Sequence, residues 1–106
     1  MKRTAIALAA AAFALGLATA PAYAADAAAG EAKAKKCVAC HGKTGISKSK
    51  AYPNLAGQKE KYLKDQMKAF RDKKRKNGIM NAQMRKFSDD DIANMAAYYA
   101  SLGCPQ

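Results

Sequence analysis

Five consecutive residues, Cys37-Val38-Ala39-Cys40-His41, carry the most distinctive chemistry in this chain. Two thiols three positions apart, followed at once by an imidazole, have the spacing of a c-type haem attachment site. Each thiol can add to one haem vinyl group as a thioether, and the short Val38-Ala39 bridge lets both reach one porphyrin edge. His41 then lies under the ring as the candidate proximal iron ligand. Two other chemistries use paired cysteines. A redox dithiol wants a βαβ setting, and no parallel-strand pattern occurs here. A structural zinc site closes with four N or S ligands, yet beyond the motif the sequence offers only Cys104 and no second histidine. The expectation is one covalently attached haem c per chain, held by Cys37 and Cys40.

A sixth iron ligand would be sought well away from the motif. Ile79 to Phe87 has no clean hydrophobic period and reads as an irregular segment, but it holds Met80 and Met84. A thioether favours ferrous iron, so His/Met ligation raises the reduction potential. Either methionine can fill that role from its position, and the other then becomes gap-filling core. Pro53 lies in a turn, Ala51 to Gly57, and has a carbonyl but no N–H. If that turn folds under the haem, the carbonyl accepts a hydrogen bond from His41 Nδ1 and fixes the imidazole tautomer. Otherwise it is an ordinary surface turn.

The elements that must position these groups read as helices. Asp26 is the expected N-cap of a helix from Ala27 through Lys36 into the haem motif, with lysines near its C-terminal, negative pole. Gly30 within it predicts a close approach by another helix, near Tyr98 and Tyr99. Gly42 to Ser49 is a loop. Tyr62, Leu63, Met67 and Phe70 form one apolar stripe on a helix from about Gln58 to Lys74, and Asn77-Gly78 breaks the chain. Ser88 caps the last helix, with Asp91 at capping-box spacing. Ile92, Met95, Ala96, Tyr99 and Leu102 line its buried face, and Gly103 ends it. With no strand pattern anywhere, the fold class is all-α.

Met1-Lys2-Arg3 followed by an apolar, Ala-rich run to Ala18 and by Ala22-Tyr23-Ala24 has the layout of a secretory signal peptide. Cleavage is expected after Ala24, leaving one domain, residues 25–106, in the periplasm of a Gram-negative-type cell. The run is too short and too interrupted, by Gly16 and Pro21, for a membrane span. Beyond Ala24 lie 17 Lys and Arg against 8 Asp and Glu, a surplus of nine positive charges. Such a surplus steers association with acidic redox proteins or an anionic membrane face. Nucleic acid is not expected, since no motif for it is present. After haem attachment Cys104 is an odd thiol, free in a monomer or linking a dimer.

The stretches Cys37 to Gly42, Tyr52 to Gln58, and Met80 through Ser88-Asp89 into Tyr98-Tyr99-Ala100 occur in a familiar order. In them the chain resembles class I c-type cytochromes, most closely the small bacterial group of cytochrome c553 and each single-haem half of cytochrome c4. The resemblance implies several helices wrapped around one haem, with the first and last crossing. It implies His41 as proximal ligand and Pro53 orienting it. It also implies Met80 as distal ligand, seven residues before the apolar position, here Phe87, that precedes the Ser-Asp helix start. Many relatives have a proline or second methionine beside the ligand, where this chain has Ile79 and Asn81. The expected function is a soluble periplasmic electron carrier and not an enzyme. Two other readings are a haem with an open sixth site for gas binding or peroxidase-like chemistry, and an electron-transfer subunit of a larger redox complex.

Overall fold

The computed structural model describes residue 16 and residues 24–103. The expected signal segment, apart from residues 16 and 24, and Cys104 lie outside the described residues. Five α-helices form the described chain: α1 (Ala27–Lys33), α2 (Val38–His41), α3 (Glu60–Arg71), α4 (Gly78–Met84) and α5 (Asp89–Ser101). There is no strand among the described residues.

Asp26 caps α1 by accepting the N–H groups of Ala28 and Ala29 at 2.9 and 3.2 Å. The single helix expected from Ala27 to Lys36 is divided. It tightens into a 3₁₀ turn at Ala34–Cys37 before α2 resumes with the haem motif. No cap residue or proline announces the change. Tightening of this kind is common where a helix ends or is redirected, and here it begins at Ala34, which is buried against the core.

α1 crosses α5 at close backbone range. A Cβ on Gly30 would fall on the Asn94 carbonyl, so only glycine lets the two backbones meet. The expected approach near Tyr98 and Tyr99 is therefore one turn earlier along α5, at Asn94 and Met95. Asp26 N–H also donates to Asn94 Oδ1 at 2.8 Å, tying the start of α1 to the same point.

The core gathers Ala34 from the 3₁₀ turn, Leu63 and Met67 from α3, Met84 from α4, Phe87 from the turn after it, and Ile92, Met95, Ala96 and Tyr99 from α5. It is small. α3 is shorter than the expected Gln58 to Lys74, because Lys59 serves as N-cap and Lys73 turns at φ 59°. Arg71 at its end bonds Asp89 (2.7 Å), Asp72 (3.0 Å) and the Phe87 carbonyl (3.3 Å), clasping α3 to the start of α5.

The segment expected to be irregular, Ile79 to Phe87, is largely helical instead. Asn77 accepts the Met80 N–H at 3.0 Å and so caps α4. The Asn-Gly pair therefore starts a helix where a break was expected. Seven residues are too few for a hydrophobic period to be visible.

At α5 the capping box is complete: Ser88 Oγ accepts the Asp91 N–H (3.0 Å) and Asp91 accepts the Ser88 N–H (3.2 Å). Ser88→Ala should cost about 1 kcal/mol, read as a Tm fall of about 4–8 °C. The Ser88 backbone bond holds the Asp91 carboxyl below its usual range. Its stabilisation is therefore present above about pH 4, the unfolded carboxylate value, and disappears as pH falls through the lower folded value. Asp91→Asn should flatten that part of an acid-unfolding curve.

Candidate haem site

The 3₁₀ turn and α2 bring Cys37, Cys40 and His41 within one and a half turns of helix. Both thiols are unpaired and half-buried. Gly42 closes α2 through its N–H to the Val38 carbonyl at 2.9 Å, then leaves at φ 86° and ψ 153°. A Cβ there would strike the Ile46 carbonyl, so the chain can double back directly after His41 only with glycine.

The loop that follows is strapped to the motif from below and to α5 from its far end. Ser47 Oγ donates to the Cys40 carbonyl at 3.2 Å, and Ser47 N–H donates to Asn54 Oδ1 at 2.7 Å. Gly45 carbonyl accepts Leu55 and Ala56, while Gly57 N–H donates to the Tyr99 carbonyl at 2.9 Å. These bonds set the Pro53 carbonyl 2.8 Å from His41 Nδ1. A carbonyl only accepts, so Nδ1 carries the proton and the Nε2 lone pair is left for a metal. The ring is buried and meets Tyr52 edge-on, with centroids 6.3 Å apart.

Burial pushes the Cys37 thiol up, against an opposing hydrogen bond from Tyr99. Burial beside that thiol also pushes the Tyr99 phenol up.

α4 separates the two methionines by one helical turn. Met84 is 2 % exposed and among the largest fully buried side chains. Met80 is only partly buried, packed against the core together with Cys37, Leu55 and Phe70. The residue types fit a haem: two free thiols at the attachment spacing, an imidazole with Nε2 available, and a partly covered thioether among apolar side chains.

Residues 27–103 match the cytochrome c family. The chain belongs to that family. It is 51% identical over 77 residues to cytochrome c-554(548) of Halomonas halodenitrificans, a match covering 70% of this chain and 93% of that protein. It is 49% identical over 74 residues to cytochrome c4 of Pseudomonas aeruginosa, covering 70% of this chain but 37% of the other. Among solved structures, reduced cytochrome c4 from Pseudomonas stutzeri superposes with a TM-score of 0.71 at 36% identity, over 74% of this chain and 46% of that one. This cytochrome therefore spans only about a third to a half of the cytochrome c4 chains that it matches. The all-α, class I fold holds, and the chain is an electron-transfer haem protein with covalently attached haem c. Cys37, Cys40 and His41 occupy the Cys-x-x-Cys-His position.

Sequence reasoning missed two bonded groups, one of them at Met80. Asn77 and Asn81 bond each other, Asn77 accepts the Met80 N–H, and Arg71 clasps the Phe87 carbonyl. An Asn pair four residues apart was the available signal.

Proposed function

We propose that this cytochrome is a soluble periplasmic one-electron carrier with His41 as proximal and Met80 as distal axial ligand. Cys37 and Cys40 form the thioethers, and residues 1–24 direct export and are removed. Bound haem supplies a one-electron couple between ferric and ferrous iron. The protein orients His41 through Pro53, covers the site with apolar side chains, and offers a thioether that raises the potential.

The contrast between the two methionines of α4 carries this reading. Met84 is spent in the core, at 2 % exposed, whereas Met80 is only partly buried and packs against the edge of the same core as Cys37. His41 is the sole histidine in the sequence, so an open-site enzyme would have no distal acid–base histidine.

The basic surface supports docking to acidic redox proteins. Lys36, next to Cys37, lines a shallow cleft with Gln83, Arg85 and Lys86 at the end of α4. Such docking is brief and weakened by salt.

Replacing the two methionines separately tests the ligand. Met80→Ala should abolish the red-edge absorption band of ferric thioether ligation and lower the potential. Met84→Ala should retain the band while losing about 2–5 kcal/mol of stability. Loss of the band in Met84→Ala alone would reverse the assignment.

A further inference from the structure

Asn81 follows Met80 directly, and every polar atom of its side chain is engaged. Its amide nitrogen donates to the Phe70 carbonyl at 2.7 Å and to the Arg75 carbonyl at 2.8 Å. Its Oδ1 accepts the Asn77 N–H at 2.9 Å. The bonding fixes the amide orientation, since two carbonyls face the NH₂ and one N–H faces the oxygen. Asn77 returns the contact twice: its side chain accepts the Met80 N–H, and its carbonyl accepts the Asn81 N–H at 2.8 Å.

These bonds hold the helix that bears Met80 to the end of α3. The seven residues of α4 have little helical stability of their own. Phe70 supplies a carbonyl on the last turn of α3, and its ring, packed against the core, lies under the Arg75 guanidinium at 4.6 Å. The turn between α3 and α4 is itself closed by Lys74 and Arg75 N–H groups on the Ala69 carbonyl. Asn81 thus ties the position next to Met80 to a fixed part of the core through backbone acceptors.

We infer that Asn81 is the positioning residue for the distal thioether, setting how rarely Met80 leaves the iron. The inference rests on Met80 being the ligand. Asn81→Ala removes three bonds but leaves Met80, His41 and both thiols in place. Asn81→Asp keeps the shape and the acceptor, loses both donors, and turns a carboxylate toward two carbonyls. Each lost bond shifts the closed-to-open balance by about a factor of 2 to 10.

The test is the rate at which carbon monoxide binds to the reduced, haem-loaded protein, because binding requires Met80 to leave. Asn81→Ala should bind about 5- to 50-fold faster than the parent, and Asn81→Asp at least as fast. Ile79→Ser, at the exposed position on the other side of Met80, should bind at the parental rate. Amide hydrogen exchange at Met80 gives a second readout, with protection falling in both Asn81 variants. If the parent is closed and Met80→Ala opens it, yet both Asn81 variants bind at the parental rate, the inference is wrong while the ligand assignment stands. A parent as open as Met80→Ala overturns the ligand assignment, and this inference with it.

Discussion

A chain with both Cys37 and Cys40 changed to alanine should carry no haem through purification and should show no cooperative thermal transition. The reason lies in the size of the core. After residue 24 the chain has 82 residues, and a domain of this size buries only about 60–65% of its unfolded surface. Among the described residues the core cluster is nine side chains, two of them alanines. Cys37, Leu55, Phe70 and Met80 pack against that cluster while remaining partly uncovered. A bound haem supplies the missing apolar volume, so its loss removes much of what opposes the conformational entropy of unfolding. Haem content by absorbance and melting by circular dichroism check this together. A haem-free variant that melts as sharply and as high as the parent would show that the polypeptide core suffices.

Gly30→Ala should be strongly destabilising where α1 crosses α5. Two effects oppose each other. Alanine gains roughly 1 kcal/mol of helix propensity over glycine. The new methyl, however, is placed on the Asn94 carbonyl, a backbone atom of α5 that cannot rotate away. Forcing α1 and α5 apart costs about 3 kcal/mol, so the clash wins. The net loss of about 2 kcal/mol lowers Tm by about 8–16 °C. Gly78→Ala is the matched control, because a Cβ there meets nothing within 4 Å. It should be neutral or slightly stabilising. If Gly30→Ala melts no lower than the parent, the helices do not cross as closely as described.

These two cases also show which parts of the architecture are legible in sequence. Gly30 in an Ala-rich helix signals a close approach. Asp26 and Ser88 signal helix starts because their oxygens can satisfy orphan N–H groups. The attachment motif is legible because its chemistry fixes its spacing. What escapes is whatever depends on partners distant in sequence. Asn94 accepts from Asp26 across 68 positions, and nothing local marks it. Asn81 reads as a polar residue in an irregular stretch until the turn at Lys73 brings the Phe70 and Arg75 carbonyls to it. α4 itself was hidden by the same residues that build it. Asn77-Gly78 has the composition of a break, and only the Met80 N–H on Asn77 Oδ1 shows that it is a cap.

The methionines illustrate the same division. Met67 and Met95 lie on helical stripes and are buried, at 7 % and 0 % exposed, as their spacing predicts. Met80 and Met84 share one face of a helix, and their different burial arises from where α4 sits against α3 and the core, which spacing alone does not express.

The closed, six-coordinate site is the central claim, and one spectrum tests it most directly. The haem-loaded protein is reduced with dithionite and its Soret band recorded before and promptly after carbon monoxide is added. With His41 and Met80 both bound, the band should stay where it is. A prompt shift to the carbon monoxide form would mean that the sixth position is open, and the reading of this cytochrome as a simple carrier would fail.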